Sequence, residues 1–359
     1  MGRDRHLIRH LQTRGHDVAT VQWPVREPTG FLAGSFGLKR DQGVIEDTPA
    51  YHVRRIPDIT RRFRSAPMAG NKLKQLLFHR DIRWALNDFD AEVLITAFSS
   101  YMTGYPPFNL DVPVVFDYLD LVNWSNHPYQ PDLPYVKQAD AVLCVSKAVQ
   151  DRVEAFNDSN SYLPNGADVN QFRSADGTDI RIQYKLEEKT IVSLIGLNVG
   201  SAGLYFIDAI LEARREDSTI HGLLVGDSPT VRDRIDALDP ERDSFTYIGR
   251  VPYEDVAKYY AATDIGLYPA VGGTYDDGRS PIKVFEFSAC NIPVVSAPIR
   301  EVRNLSFGNI FLAEPGVASF ADGILAARAY DKVMVPEVER YDWEVLASKL
   351  ESTIKQLLR

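Results

Sequence analysis

The feature that most constrains this fold is a short, strongly apolar run that recurs along the chain, closed by glycine or a polar turn and followed by a helical stretch. In the second half the runs are Thr190–Ile195 (TIVSLI), Gly222–Val225 (GLLV), Phe245–Ile248 (FTYI), Ile265–Tyr268 (IGLY), Pro293–Ser296 and Asn309–Leu312. Runs of this kind are buried on both faces of a parallel sheet, and the helices between them are the crossovers. Helices are expected near Gly203–Arg215, Tyr253–Ala262, Lys283–Ala289 and Ser319–Ala327. The first half shows the same rhythm in Glu92–Ala97, Val112–Phe116 and Ala141–Val145, and the turn-rich Leu163–Asp168 separates the two halves. At roughly 150 residues per domain, 359 residues give about two domains, with a cleft expected between them. The fold class is therefore α/β, with two parallel-sheet domains.

The N-terminus departs from this rhythm. Asp4–Leu11 reads as an amphipathic helix with Gly15 as its stop, and Asp17–Trp23 as a strand. A helix–strand pair in a parallel sheet follows an earlier strand, so the first strand is expected to be missing, as in a truncated reading frame. Residues 24–60, rich in Pro, Gly and charge, read as an irregular insertion, Asn71–Asn87 as a helix, and Tyr341–Leu358 as a terminal helix.

Charge and cysteine content narrow the function classes. The net charge of −9 argues against a nucleic-acid partner. Residues 1–90 nevertheless hold 16 basic and 10 acidic groups, against 24 and 39 in the remainder. The stretch 52–83 concentrates Arg54, Arg55, Arg61, Arg62, Arg64, Lys72, Lys74, Arg80 and Arg83 among apolar residues, and reads either as a surface for anionic membrane or as an ordinary solvated face. Cys144 and Cys290 lie in apolar stretches without metal-ligand spacing, which indicates neither disulfide framework nor zinc site. With no long apolar run and no leader-like start, a cytoplasmic location is expected, at the inner face of the cell membrane if the basic stretch binds lipid.

In an open parallel sheet the ligand lies beyond the carboxyl ends of the strands. Four of those ends carry glycine: Gly196 to Gly203, Gly226-Asp227-Ser228, Gly249-Arg250-Val251 and Gly272-Gly273. Glycine admits a ligand to the backbone, and the following helix turns unpaired N–H groups toward a phosphate. The alternative is that each glycine makes a tight turn only. No Gly-Lys-Ser/Thr and no G-x-G-x-x-G spacing occurs, which weakens kinase and dehydrogenase readings. The densest signal is Asp276 to Val295 (DDGRSPIKVFEFSACNIPVV). There Ser280 is the expected N-cap, with Pro281 and Ile282 in the first turn; Arg279 and Lys283 add charge, and Glu286 lies one turn beyond Lys283.

The segments Pro164–Asp168 (PNGAD), Phe245–Pro269 and Ser280–Val295 resemble those of the retaining glycosyltransferases of family 4, with Leu7–Val21 resembling the family's first helix and second strand. The resemblance covers nearly the whole chain. It implies the GT-B architecture of two facing Rossmann-like domains: an acceptor domain at 1–162, rejoined by the terminal helix at 340–359, and a donor domain at 163–339. It also implies hexosyl transfer from a nucleotide-sugar, UDP- or GDP-linked, to a glycan, lipid-linked or cell-envelope acceptor in polysaccharide biosynthesis, with no cofactor or metal. Glu286 matches the second Glu of the family's paired motif and is expected on the ribose. The 280–283 turn is expected at the diphosphate, and Gly249-Arg250-Val251 around the base. Asp120, after Val115–Tyr118, is the first choice for a group that orients or deprotonates the acceptor hydroxyl, with His127 second.

Two departures accompany the match. Leu197 and Ala202 stand where the family carries Arg and Lys, and Gly278 stands at the first Glu. Arg279, Lys283 or Arg250 could replace the charge, and Asp277 the carboxylate. A catalytically degenerate partner or nucleotide-sugar-binding protein therefore stands as the alternative, with a sugar-nucleotide epimerase as a third reading.

Overall fold

A computed structural model of the chain describes residues 2–22, 41–45, 47–52, 67–97, 109–119, 132–197 and 203–359. The chain divides into two compact units, one formed by residues 8–144, 150–162 and 349–359, the other by residues 1–7, 145–149 and 163–348.

The first eleven elements are α1 (Arg3–Thr13), β1 (Thr20–Gln22), β2 (Asp41–Ile45), β3 (Thr48–His52), α2 (Pro67–Phe89), β4 (Leu94–Ala97), β5 (Val114–Tyr118), α3 (Leu133–Gln138), β6 (Ala141–Cys144), α4 (Lys147–Val153) and β7 (Asn160–Tyr162). Strands β4-β5-β6-β7 form an all-parallel sheet in that order. Every residue of β5 and β6 is buried, as their unbroken apolar runs require. A second sheet has the order β1-β3-β2, with β3 parallel to β1 and antiparallel to β2. Among the described residues no strand pair joins the two sheets. Phe78, Ile82 and Leu86, spaced by four along α2, pack together against Val21, which lies on β1, and Leu94, which lies on β4.

The hairpin β2–β3 falls inside the stretch expected to be irregular. Its outer strand is polar and exposed, with Val44 69% accessible, so it carries none of the alternation that marks a half-buried strand. Pairing with β1, about thirty residues earlier, supplies the order instead.

The remaining elements are α5 (Val169–Arg173), α6 (Thr178–Tyr184), β8 (Thr190–Ile195), α7 (Tyr205–Glu216), β9 (Ile220–Val225), α8 (Pro229–Leu238), β10 (Phe245–Ile248), α9 (Tyr253–Ala261), β11 (Ile265–Tyr268), α10 (Thr274–Asp277), α11 (Ile282–Ala289), β12 (Val294–Ser296), α12 (Arg300–Arg303), β13 (Ile310–Leu312), α13 (Val317–Ala327) and α14 (Trp343–Leu357). Six strands form an all-parallel sheet in the order β10-β9-β8-β11-β12-β13. From β8 the chain moves out through β9 to β10, then returns to β11 on the opposite side of β8. The order thus reverses between β8 and β11, the place where an open sheet of this kind leaves a crevice for a ligand.

Close backbone approach explains the PNGAD segment. Ala167 N donates to Tyr341 O (3.0 Å) and Trp343 N to Ala167 O (3.1 Å). A Cβ on Gly166 would fall 1.9 Å from Tyr341 O, so only glycine fits there. In the other unit Arg14, His16 and Lys355 converge on Glu351, at 2.6, 3.0 and 2.6 Å. These hydrogen bonds, with Lys355 foremost, hold the Glu351 carboxyl down to about 2.

Candidate functional site

Beyond the ends of β8 and β11 the structure gathers four of the expected residues: Gly196, Arg279, Lys283 and Glu286. Helix α11 begins after Pro281, which is its N-cap, one residue later than the sequence suggests. Its first two N–H groups, those of Ile282 and Lys283, have no intrahelical acceptor. Ser280 does not cap the helix. Its hydroxyl accepts from Asn165 N (3.0 Å), and its carbonyl accepts from the Asn165 amide (2.7 Å). Arg3, itself buried, donates to Pro164 O at 2.6 Å and so holds the segment that carries Asn165.

Lys283 turns back toward the end of β8. A Cβ on Gly196, whose φ is +74°, would lie 3.1 Å from Lys283 Cε and 3.7 Å from Nζ, so the lysine stem lies against bare backbone. Burial pushes the ammonium down to about 8; neighbouring Arg279 adds to the depression and Glu286 opposes it. A positive charge therefore stands beside the loop in which Leu197 replaces the family's cation. Leu197 itself is buried, with its backbone N against Gly226. Ala202 lies outside the described residues.

Arg279 pairs with Asp276 (3.3 Å) and lies over the Tyr275 ring. Asp276 in turn accepts from Val271 N and Gly272 N, which fixes the loop after β11. Asp277 accepts from Arg300 N (2.8 Å). Half of its carboxylate thus holds α12, which reduces its capacity to replace the missing glutamate. At Gly278 itself the carbonyl accepts from the Ser146 hydroxyl (2.9 Å).

Glu286 is buried on α11, and Tyr260 of α9 donates its hydroxyl to Glu286 Oε2. Burial raises the Glu286 carboxyl, while the Tyr260 hydrogen bond and Lys283 oppose the rise. The rim of the site is open. Gly249 has free space where a Cβ would stand, and Arg250, 85% accessible, lies 3.8 Å from Asp227 beyond the end of β9. Ser228 caps α8 and donates its backbone N–H to the Tyr247 hydroxyl, so Gly226–Ser228 is a fixed turn. Val251 follows, half-buried.

Asn165 and Tyr260 were not singled out by sequence. Asn165 lies in the Pro164–Asp168 segment, and Tyr260 lies within the helix expected at Tyr253–Ala262. Asp120 and His127 lie outside the described residues, as does 53–66 of the basic stretch. In the other unit the buried Asp132, also unread in the sequence, accepts from the Tyr118 hydroxyl, and burial pushes its carboxyl up to about 6.

Residues 5–171 match the family model Glycosyltransferase Family 4, and residues 189–329 match Glycosyl transferases group 1. Both models describe glycosyltransferases, and together they span most of the chain. Sucrose-phosphate synthase of Thermosynechococcus elongatus shares the fold across 99% of this chain and 92% of its own, at 18% identity and TM-score 0.68. A UDP-forming trehalose-phosphate synthase of Burkholderia xenovorans does so across 100% and 97%, at 10% identity and TM-score 0.72. Anabaena HepE, solved with UDP, matches 77% of this chain and 82% of its own, at 16% identity and TM-score 0.59. No curated protein matches in sequence. With these neighbours the chain shares an α/β fold, and among its described residues no helix is long and apolar enough to cross a membrane.

Proposed function

We propose that the chain is a retaining hexosyltransferase that takes its sugar from a nucleoside-diphosphate donor beyond the ends of β8 and β11 and passes it to a glycan, lipid-linked or cell-envelope acceptor in polysaccharide biosynthesis. The observation that carries this reading is Lys283 folded against Gly196, with Glu286 one turn further along the same helix. A cation at the first turn and a carboxylate at the second match the two polar parts of a nucleoside diphosphate. Lys283, Arg279 and the first N–H groups of α11 stabilise the diphosphate as it leaves, where charge grows in the transition state. Glu286 accepts from the ribose hydroxyls, and the open Gly249–Val251 corner receives the base. To Asp120 we assign the role of orienting or deprotonating the acceptor hydroxyl. The basic stretch 52–83 brings the enzyme to anionic lipid at the inner face of the cell membrane. UDP is the favoured base carrier, because HepE was solved with UDP and with UDP-glucose.

The degenerate-partner reading draws on the buried Leu197 and on the Gly278 carbonyl taken by Ser146. It is disfavoured because neither Arg279 nor Lys283 is turned out to solvent. Thermal shift and calorimetry with UDP, GDP and ADP sugars on wild type and Glu286→Ala test the donor site, since a ligand of the folded state raises the melting temperature. Stabilisation by one nucleotide that Glu286→Ala abolishes is expected. Binding without turnover across an acceptor panel would favour the partner reading, and no binding at all would overturn both.

A further inference from the structure

Glu286 has a partner that no family resemblance supplied. Tyr260 is 1% accessible and is held from two sides. The Phe172 ring stands edge-on at 5.1 Å, and the Phe287 ring packs at 4.5 Å, tilted by 58°. Phe287 is the residue after Glu286 on α11, and Phe172 is on α5, so three helices fix the phenol. Its hydroxyl meets Glu286 Oε2, and Glu286 Oε1 has no hydrogen bond among the described residues. A carboxylate on a helix otherwise rotates about its terminal bond, and a single strong donor on one oxygen sets its plane.

We propose that Tyr260 is a positioning residue of the donor site, which holds Glu286 ionised and oriented so that Oε1 and the remaining lone pair of Oε2 accept the two vicinal hydroxyls of the donor ribose. This rests on the reading of Glu286 as the ribose acceptor. The consequence is specificity as well as affinity: a fixed carboxylate distinguishes a ribose from a 2′-deoxyribose, whereas a freely rotating one satisfies a single hydroxyl almost as well as two. Tyr260 lies behind Glu286 in the core, so it acts through the carboxylate. The second consequence is electrostatic. The phenol donates to the charged form of Glu286, which opposes the burial that favours the neutral acid, and removing the hydroxyl moves protonation toward neutral pH. A protonated Glu286 gives one oxygen a hydrogen and loses the paired acceptor.

The test is calorimetric titration of UDP and of 2′-deoxy-UDP, between pH 5 and 8, against wild type, Glu286→Ala and Tyr260→Phe. Wild type is expected to prefer UDP, and Glu286→Ala to lose both affinity and preference. Tyr260→Phe, which keeps the ring packing, is expected to bind UDP about tenfold more weakly. It should also show a smaller ratio between the two nucleotides and an acid limb moved to higher pH. If Glu286→Ala loses affinity while Tyr260→Phe keeps the wild-type ratio and acid limb, Tyr260 is a structural tyrosine only and the inference falls. If Glu286→Ala keeps both affinity and preference, the reading of the donor site falls with it. Should Tyr260→Phe not fold, 3-fluorotyrosine at position 260 replaces it. Its more acidic hydroxyl strengthens the bond and should move the acid limb down, and an unmoved limb overturns the inference.

Discussion

Replacing Lys283 by Met removes the charge beside Gly196 and keeps most of the unbranched stem. At pH 7 an ammonium titrating at about 8 is roughly nine-tenths ionised, so the wild-type site presents a nearly full positive charge. A phosphate oxygen about 4 Å away would interact with it by about 4 kcal/mol at an effective dielectric of about 20. Measured hydrogen bonds to charged groups deliver about 2–3 kcal/mol of that. UDP should therefore bind Lys283→Met about 30- to 150-fold more weakly at pH 7. The sign with pH follows from the same group. A bound diphosphate favours the charged form, so wild-type affinity is fully present below pH 8 and falls as pH rises through about 8, by up to about tenfold per pH step. The variant should show no such fall, and the two curves should converge toward pH 9.5. Stability moves the other way. Holding the ammonium at about 8 instead of 10.5 costs the fold on the order of 3 kcal/mol at neutral pH. The unfolded chain keeps its proton between pH 8 and 10.5, so wild-type stability rises across that window, and Lys283→Met should melt at or above wild type at pH 7. Calorimetry from pH 6.5 to 9.5 with a parallel thermal melt reads both. Kd values within threefold of each other at pH 7, or a flat wild-type profile through pH 8, would refute the placement of the cation.

Other expectations follow from the packing. Gly266→Ala would drive a Cβ to 2.6 Å from the Phe287 ring, displacing α11; a loss of about 1–3 kcal/mol in denaturant unfolding is expected, together with weaker UDP binding. Asn165→Ala removes the side-chain amide that donates to the Ser280 carbonyl and leaves the backbone N–H on the Ser280 hydroxyl, and should weaken UDP binding with a modest fall in Tm, read in one thermal-shift series with and without nucleotide. Glu351→Gln removes the carboxylate shared by Arg14, His16 and Lys355. The folded carboxyl is depressed, so its contribution is present above about pH 4.5 and lost as pH falls through about 2. Urea midpoints should converge for wild type and variant as the pH drops across that window.

Strands buried on both faces were the most legible part of the chain. TIVSLI matches β8 residue for residue, because a central parallel strand is covered on both faces; FTYI also matches β10 residue for residue, although β10 is an edge strand buried only at Phe245. The hairpin β2–β3 was not legible, since its outer strand is polar and its order comes from a distant strand. The glycines at strand ends were found for the right local reason, but Gly166 is required by a backbone contact 175 positions away in sequence, at Tyr341. At the site, Lys283 and Glu286 could be read from a local helix pattern. Ser280 was misread as a cap because a Ser-Pro pair fits that role locally, while its actual partner, Asn165, lies 115 residues earlier. Tyr260 escaped for the same reason: the sequence shows an aromatic on a helix face, and only the fold shows which carboxylate its hydroxyl meets.

The central claim is that a nucleoside diphosphate sits beyond the ends of β8 and β11, between Lys283 and Glu286. A crystal structure with UDP tests it most directly. The account predicts a phosphate oxygen about 3 Å from Lys283 Nζ and the ribose hydroxyls at a similar distance from the Glu286 carboxylate. UDP seated elsewhere on the protein, with both side chains untouched, would contradict it.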